Sequence, residues 1–394
     1  MTEAESPAAL RVKFLDDLTA SGDVTAPEWL AAFRDIPRDV FVPHFFTQTP
    51  DLAGWRLVQR GEPEWLTRVH SMTPLITQLN GDDALTDKAR AGEAVNGAAT
   101  SSSSQPTLMG LMLQALDVHD GHRVLEIGTG TGYNTALLCH RLGAANVTSV
   151  DVDPGLIERA AERLARLGYG DAHVFAGDGR DGYAERGPYD RIIVTVGTAP
   201  VPGAWLDQTR DGGKILVPLD RRNCGGLLAL LTMHGDTASG RFLADYGGFM
   251  PIRGTRHDAA LDAFRSLKDY QGTQRTTNLT AEVATGGGPF EFFAALRVGG
   301  YDHMSFTPND GGPTETWLAD GHHSWVCHTT TDGTHSVRQG GPIRLWDAIE
   351  DAHREWERLG KPVRERFGLS VNHDGTHTVW LDDPNGDQQW SLLA

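Results

Sequence analysis

A regular alternation of apolar strands and amphipathic helices between residues 105 and 218 constrains the fold of this chain more than any other feature. Short apolar segments such as RVLEI, NVTSVDV, YDRIIVTV and KILVPL follow one another along it, each separated from the next by a helical pattern. Strands that alternate with helices in this way form parallel sheets with helices on both faces. The pattern predicts an α/β fold, with a Rossmann-like doubly wound sheet domain over residues 105–254.

The segment before this domain, residues 1–104, has a different character. Apolar residues recur at helical spacing over residues 8–46, which predicts N-terminal helices. Residues 79–104 are rich in Gly, Ser, Asp and Asn and have no apolar face, which favours a loop. We expect residues 1–104 to form a helical segment that ends in this loop.

The segment after the sheet domain, residues 255–394, is rich in aromatic residues. Two Asp-Gly pairs lie where β-hairpin turns are expected, and one clear amphipathic helix carries two tryptophans. This pattern predicts a C-terminal α+β domain, in which the helix belongs to the core or lines a peptide groove. The segment contains six of the ten tryptophans: Trp317, Trp325, Trp346, Trp356, Trp380 and Trp390.

Charge and composition exclude several classes of protein. The chain has 394 residues and a net charge of −17, which argues against nucleic acid as a partner. No apolar run approaches the roughly 18 residues of a membrane span, and the N-terminus lacks the basic and apolar parts of a signal peptide. Three scattered cysteines fit a reducing compartment. We expect a soluble, cytoplasmic protein with no membrane partner; the sequence does not indicate its oligomeric state.

The stretch VLEIGTGTGYNTALL places three glycines between a predicted strand and a predicted helix. Glycines there let the backbone approach a ligand and offer N–H groups at a helix N-terminus. The spacing is G-x-G-x-G after a glutamate, which differs from the dinucleotide fingerprint G-x-G-x-x-G. A tight turn of an ordinary α/β protein is the structural alternative.

Carboxylates at the ends of the strands favour a ligand site over that alternative. Asp151 ends the next strand, where a carboxylate can bind both hydroxyls of a ribose, and Asp178 ends the third, near an adenine edge. We therefore expect S-adenosylmethionine as cofactor, with S-adenosylhomocysteine as product. The expected contact residues are Glu126, Gly128, Thr129, Gly130, Gly132, Tyr133, Asp151, Val152, Asp178 and Gly179.

Over residues 10–254 the chain resembles the protein-L-isoaspartate O-methyltransferases. The motifs IPRDVFVP, SSSQP, VLEIGTGTGYNTALL, SVDVDP, GDGRDGYAERGPYDRIIVT and DGGKILVPL occur in the order of that family. The family carries approximately Thr-Ile-Ser-Gln-Pro before the first helix of the sheet domain, and that serine is assigned to the active site. Alignment on the Gln-Pro pair implies that Ser104 is this serine, Ser102 replaces the threonine, and Ser103 replaces the isoleucine.

The resemblance implies that Ser104 and Ser102 are catalytic, and that Ser103 and Arg253 also contact the substrate. The acceptor would be an aspartyl-type carboxylate, which is already ionised at pH 7 and needs no general base. Hydroxyl donors would then orient it towards the methyl group. A structural alternative is that Ser104 is only the N-cap of the following helix.

The C-terminal domain and the 79–104 insertion resemble actinobacterial relatives found beside lanthipeptide and graspetide maturation enzymes. That resemblance implies that the protein esterifies an aspartate of a ribosomally synthesised, cyclised peptide, leading to an aspartimide and, after hydrolysis, isoaspartate. Residues 255–394 would recognise the peptide. The alternatives are general repair of isoaspartyl proteins, and a non-catalytic protein that only binds cofactor and peptide.

The stretch GHHSWVCHTT gathers one cysteine and three histidines. Their spacing matches no standard zinc pattern, so we predict a strand with surface histidines and no metal site. The residues concerned are His322, His323, Cys327 and His328.

Overall fold

The computed structural model describes residues 6–51, 53–220, 226–254, 271–307, 312–320 and 322–392. The chain forms two compact units. The first comprises Met1–Val196 and Pro202–Leu216, and the second comprises Gly197–Val201 and Val217–Ala394. This division does not coincide with the predicted boundary at residue 254, because a strand before that residue pairs with one near the C-terminus, Ser239 opposite Ser370.

The first unit begins with helices and a small antiparallel sheet. The helices are α1 (Pro7–Ala20), α2 (Pro27–Asp35), α3 (Arg38–Phe41), α4 (Trp65–Val69) and α5 (Asp83–Arg90). The strands are β1 (His44–Gln48), β2 (Trp55–Gln59), β3 (Leu75–Leu79) and β4 (Ala99–Ser103). The strands lie in the order β2-β1-β3-β4.

Residues 79–104 are not the predicted loop, because they contain α5 and β4. Helix α5 begins after Asp82, whose side chain accepts the N–H of Ala84. Strand β4 contains the serine run and pairs with β3, with Ser102 opposite Ile76. A polar strand of this kind has no apolar alternation, so the sequence pattern does not indicate it.

The rest of the first unit is the predicted doubly wound sheet. Its elements are α6 (Pro106–Ala115), β5 (Val124–Ile127), α7 (Tyr133–Leu142), β6 (Val147–Asp151), α8 (Pro154–Arg166), β7 (His173–Ala176), β8 (Tyr189–Val194), α9 (Gly203–Asp207) and β9 (Thr209–Leu219). The parallel strands lie in the order β9-β8-β5-β6-β7. The strand order reverses between β5 and β8, and ligands of such sheets bind where that reversal occurs.

The second unit has the predicted α+β character. One set of antiparallel strands, in the order β19-β18-β17-β11-β10, is β10 (Leu227–His234), β11 (Thr237–Tyr246), β17 (Phe367–Asn372), β18 (His377–Leu381) and β19 (Gln389–Ser391). A five-stranded sheet, in the order β12-β16-β15-β14-β13, is β12 (Thr273–Thr277), β13 (Asp302–Phe306), β14 (Glu315–Ala319), β15 (Trp325–Thr331) and β16 (Thr334–Gly340). The helices are α10 (Glu282–Thr285), α11 (Pro289–Val298) and α12 (Leu345–Arg358).

Most tryptophans of the second unit belong to its core. Trp317, Trp325, Trp346 and Trp380 are buried, and Trp356 and Trp390 are partly buried. The core interpretation of α12 is therefore confirmed. Within the described ranges, no helix is long and apolar enough to cross a membrane.

Candidate functional site

The glycine loop between β5 and α7 leaves no room for a side chain at its first glycine. Gly128 has a φ of +100°, and a Cβ atom there would lie 2.7 Å from Oγ1 of Thr195 and 2.9 Å from Cγ1 of Val196. Those two residues directly follow β8. The loop therefore lies at the ends of β5 and β8, where the strand order reverses and ligands of such sheets bind. Its own backbone is held in place by hydrogen bonds: the N–H groups of Gly128 and Thr129 donate to the carbonyl of Val150 at 2.8 and 3.3 Å.

Asp151, at the end of β6, is brought against this loop as predicted. Its carboxylate accepts the N–H of Gly130 at 2.9 Å and the N–H of Asp153 at 3.1 Å. The next residue, Val152, is an apolar side chain that is 46% exposed. A carboxylate beside an exposed apolar side chain matches a ribose next to an adenine ring.

Glu126 is placed differently from the prediction. Its side chain is fully buried and accepts hydrogen bonds from Asn134 and Thr135 of α7, at 2.8 and 2.5 Å. It also accepts one from Ser149 of β6 at 2.6 Å, and that hydroxyl bonds Thr129 Oγ1 at 2.6 Å. Burial raises the pKa of Glu126 to about 6, although these hydrogen bonds lower it. Glu126 thus holds the loop to its neighbours and does not present its carboxylate to a ligand.

Two further predicted contacts, Gly132 and Tyr133, serve the packing of the loop. A Cβ atom at Gly132 would lie 3.0 Å from that of Ala160 on α8. Tyr133 is buried with its ring against Phe33 and Phe41, and burial raises the pKa of its phenol. The side chain of Tyr133 thus belongs to the core beside the loop, and contact of Gly132 and Tyr133 with the cofactor stays a prediction.

Asp178 and Gly179 lie directly after β7, as expected. The Asp178 carboxylate accepts the backbone N–H of Arg180 at 2.9 Å and pairs with the guanidinium of Arg180 at 2.8 Å. The carbonyl of Gly179 accepts the indole N–H of Trp205 at 2.8 Å. Contact between Asp178 and an adenine edge remains a prediction; it requires the carboxylate to be shared with Arg180.

The serine strand, residues 101–104, alternates between bonded and unbonded hydroxyls. Ser101 accepts a hydrogen bond from Thr77 at 3.2 Å, and the buried Ser103 accepts one from Arg38 at 3.2 Å. Within the part of the chain that the structure describes, the half-buried Ser102 and Ser104 make no side-chain hydrogen bond. Strand alternation turns the Ser103 hydroxyl inward onto Arg38, so contact of Ser103 with the substrate stays a prediction that its hydroxyl position does not support.

The serine strand lies against the glycine loop. A Cβ atom at Gly130 would lie 3.5 Å from the carbonyl oxygen of Ser102 and 3.7 Å from Oγ of Ser101. The N-cap of α6 is Gln105, with no side-chain cap hydrogen bond, so Ser104 is not the cap that the structural alternative requires. The hydroxyls predicted to orient the acceptor are thus available beside the loop predicted to hold the cofactor.

Arg38 is a residue of this site that sequence analysis missed. It is fully buried, and its guanidinium donates to six neutral oxygens at distances of 2.9–3.3 Å, with burial lowering its pKa to about 10. Three of the acceptors belong to the serine strand: Ser103 Oγ and the carbonyls of Ser103 and Ser104. The motif IPRDVFVP contained the signal, but its pattern does not reveal which backbone the arginine holds.

Together these groups can bind an anion next to a ligand on the loop. Ser102 and Ser104 offer two free hydroxyl donors, and Arg38 places a buried positive charge behind the same strand. A carboxylate is stabilised by both features and remains a nucleophile, because no carboxylate-binding cation contacts it directly. Arg253, the remaining predicted substrate contact, belongs to the second unit, and its role stays a prediction.

The middle of the chain, residues 83–238, matches the family model of protein-L-isoaspartate(D-aspartate) O-methyltransferases. The chain is 41% identical to the protein-L-isoaspartate O-methyltransferase of Methanoculleus marisnigri over 34% of its own length and 59% of that protein. It is 31% identical to that of Ignicoccus hospitalis over 53% of its length and 81% of the relative. The chain thus spans less than two thirds of the length of two of these relatives, 59% of the Methanoculleus marisnigri protein and 53% of a Methanococcus maripaludis protein.

A solved structure titled protein-L-isoaspartate O-methyltransferase resembles this chain along nearly its entire length. The alignment covers 95% of this chain and 100% of that chain, with a TM-score of 0.54 and 24% identity. This likeness shows that the two chains share a fold.

Proposed function

The chain belongs to the protein-L-isoaspartate O-methyltransferase family, and we propose that it is an S-adenosylmethionine-dependent carboxyl O-methyltransferase. The observation that carries this proposal is the contact between the glycine loop and the serine strand, at Gly130 and Ser102. It brings a cofactor site and two unbonded hydroxyls together. A protein that merely binds the cofactor has no need of the second feature.

The reaction transfers one methyl group and requires no proton from the protein. An oxygen of the acceptor carboxylate forms a bond to the methyl carbon as the bond to sulfur breaks, leaving neutral S-adenosylhomocysteine. The carboxylate is ionised at pH 7, so the protein needs to orient it and exclude water. Ser102 and Ser104 would donate to the carboxylate oxygen that does not react, and Asp151 would bind the ribose.

The acceptor that we favour is an aspartate of a constrained, ribosomally synthesised peptide. Its methyl ester is attacked by a neighbouring backbone nitrogen, which expels methanol and gives an aspartimide, and hydrolysis of that ring gives isoaspartate. Support comes from the second unit, most of which lies beyond residue 238, where the family match ends. Choosing one aspartate among many requires contacts beyond the reacting group.

General repair of isoaspartyl proteins is the second candidate. Its support is the name of each relative, together with the full-length likeness to a structure of the same name. A C-terminal extension alone therefore does not separate the two acceptors.

A side-by-side assay distinguishes them. A linear isoaspartyl peptide and a cyclised peptide with one ordinary aspartate are incubated with enzyme and S-adenosylmethionine, and mass spectrometry follows methyl gain and later loss of methanol. Faster methylation of the cyclised peptide supports the favoured acceptor, and faster methylation of the linear peptide supports repair. Methylation of neither peptide contradicts the proposed activity.

A further inference from the structure

A cavity of about 310 Å³ lies next to the glycine loop, and none of its lining residues has a predicted role in binding the cofactor or the acceptor. Its walls come from α5, α8 and the segment around α3, and three arginines line it: Arg90, Arg159 and Arg163. We propose that this arginine pocket binds a second carboxylate of the peptide substrate, one that is not methylated. This inference rests on the proposed function and names an acidic peptide as the substrate class.

Of the three arginines, Arg163 is the best placed to bind an anion. Its Nη1 donates to the carbonyl of Thr131 at 2.9 Å, but no carboxylate pairs with it among the described residues. In contrast, Arg159 is paired with Asp83 at 3.0 Å, and Arg90 with Asp87 at 2.7 Å. A guanidinium has five N–H donors, so Arg163 retains most of its capacity for a bidentate carboxylate.

The pocket carries one net positive charge, because Asp83 and Asp87 also line it and offset two of its three arginines. Arg159 lies four residues earlier on α8, an arrangement in which like charges repel. Burial, together with the charge of Arg159, lowers the pKa of Arg163 to about 10. Burial and all three arginines lower the pKa of His44, another lining residue, to about 4, so it stays neutral at pH 7. A bound anion would relieve this repulsion.

The position of the pocket connects it to the reaction. Thr131 lines the pocket and belongs to the glycine loop, and Thr77 lines it and donates to Ser101 of the serine strand at 3.2 Å. An acidic peptide is repelled overall by a chain of charge −17, so a local positive pocket is needed to hold it. One unpaired guanidinium matches the single charge of a carboxylate better than the double charge of phosphate.

The test measures binding of a labelled peptide without methyl transfer. Fluorescence anisotropy follows a fluorescein-labelled Gly-rich peptide with four glutamates, and a glutamine version of it, on the full-length protein with S-adenosylhomocysteine. The variants are Arg163→Gln and the matched control Arg166→Gln, which removes the same charge from the same helix at a side chain that is 72% exposed. We expect R163Q to weaken binding of the glutamate peptide about tenfold, whereas R166Q changes it less than about twofold.

Thermal melting checks that R163Q is folded. If it is not, Arg90→Gln tests the same pocket from α5. We expect this variant to weaken binding of the glutamate peptide by about threefold, since Arg90 is already paired with Asp87. Equal losses in the pocket variant and in R166Q would contradict the proposal, because the peptide would then be bound by the general surface field. Equal binding of the glutamine peptide would also contradict it. Inorganic phosphate is titrated in parallel: if it binds through Arg163 while the glutamate peptide does not bind, the pocket is a free-anion site. If the protein transfers no methyl group, binding of the glutamate peptide through Arg163 can still be observed, and the inference stands. If Arg163 does not bind the peptide, methyl transfer can still be observed, and the proposed function stands.

Discussion

The serine strand of the first unit and strand β15 of the second both gather reactive side chains, yet they place them differently. Ser102 and Ser104 have unbonded, half-buried hydroxyls beside a glycine loop. His328, in contrast, is buried, with Nε2 at 3.0 Å from the carbonyl of Leu279 and its ring against Trp346. The comparison shows that unused hydrogen-bonding capacity, more than residue type, distinguishes a site from a core.

The stretch GHHSWVCHTT also corrects an expectation. The prediction of a strand with surface histidines is right for the strand, β15, and for the exposed His322 and His323 that precede it, but wrong for His328, which is buried. Burial also raises the pKa of the neighbouring Cys327 to about 12, so this thiol is protonated at pH 7. Among the described residues, no group of three or more His, Cys, Asp or Glu side chains is arranged to hold a metal.

Of the substitutions that distinguish the two units, we expect that of Trp346 to have the largest effect on the free energy of unfolding. This side chain is fully buried, so Trp346→Ala should lower the free energy of unfolding by about 3–5 kcal/mol. Affinity of the folded variant for S-adenosylmethionine should be unchanged, because Trp346 belongs to the second unit. Denaturant unfolding and titration calorimetry measure the two quantities. The partly buried Trp356→Ala is the control and should lose less stability; an equal loss would contradict the assignment of Trp346 to the core.

Substitution of Asp151 should change cofactor affinity, the property that Trp346→Ala is expected to leave unchanged. Asp151→Ala removes a charged acceptor and should weaken S-adenosylmethionine binding by about 1.5–3 kcal/mol in calorimetry. Asp374 is the control from the second unit, because it also accepts a backbone N–H, that of Thr376, at 2.8 Å. Asp374→Ala should leave the affinity unchanged. Unaltered affinity in the Asp151 variant would mean that the ribose is bound elsewhere.

Glu126 should make the stability of the protein depend on pH. Its pKa is raised from 4.5 to about 6, so the folded state binds this proton more tightly than the unfolded state. The stabilisation is complete below about pH 4.5 and is lost as the pH rises to about 6, with a total change of about 2 kcal/mol. Glu126→Gln should remove this part of the decline, measured by urea unfolding at several pH values. An identical decline in the variant would show that Glu126 does not titrate there.

The smallest expected effect is a difference in the free energy of unfolding between variants of two neighbouring serines. Ser103→Ala removes one of the six acceptors of Arg38 and should lower the free energy of unfolding by about 1 kcal/mol. Ser104→Ala removes a hydroxyl without a partner and should change it by less than about 0.5 kcal/mol. Thermal and urea unfolding of both variants test this difference. A larger loss for Ser104→Ala would restore the structural alternative for Ser104.

The sheet domain was predictable because its apolar periodicity is strong and each strand end carries a glycine or an acidic residue. The positions of Asp151 at the end of β6 and of Asp178 after β7 follow from that pattern alone. Strand β4 and the role of Arg38 were not predictable, because a serine run carries no periodicity and the acceptors of Arg38 are backbone carbonyls distant in sequence. The peptide-recognition role given to residues 255–394 remains a prediction.

The sequence left open, for a related reason, whether the tryptophans belong to the core or to a peptide groove. Tryptophan is common both in interfaces and in cores, and composition does not distinguish the two. Residues 255–270 lie outside the described residues, so that part of the predicted C-terminal domain is not assessed. Peptide contacts from the second unit would have to come from exposed side chains such as Ile343 and Val363, and not from Trp346 or Trp325.

Turnover of Ser104→Ala on the better of the two acceptor peptides tests the central claim most directly, with Ser103→Ala as the matched control. We expect kcat of Ser104→Ala to fall by about tenfold or more, since a hydrogen bond to a charged group is lost. The dissociation constant for S-adenosylmethionine should stay within about threefold of wild type, and the melting temperature should be unchanged. An Ser104→Ala variant with the wild-type kcat would contradict the account, because the carboxylate would then be oriented by other groups.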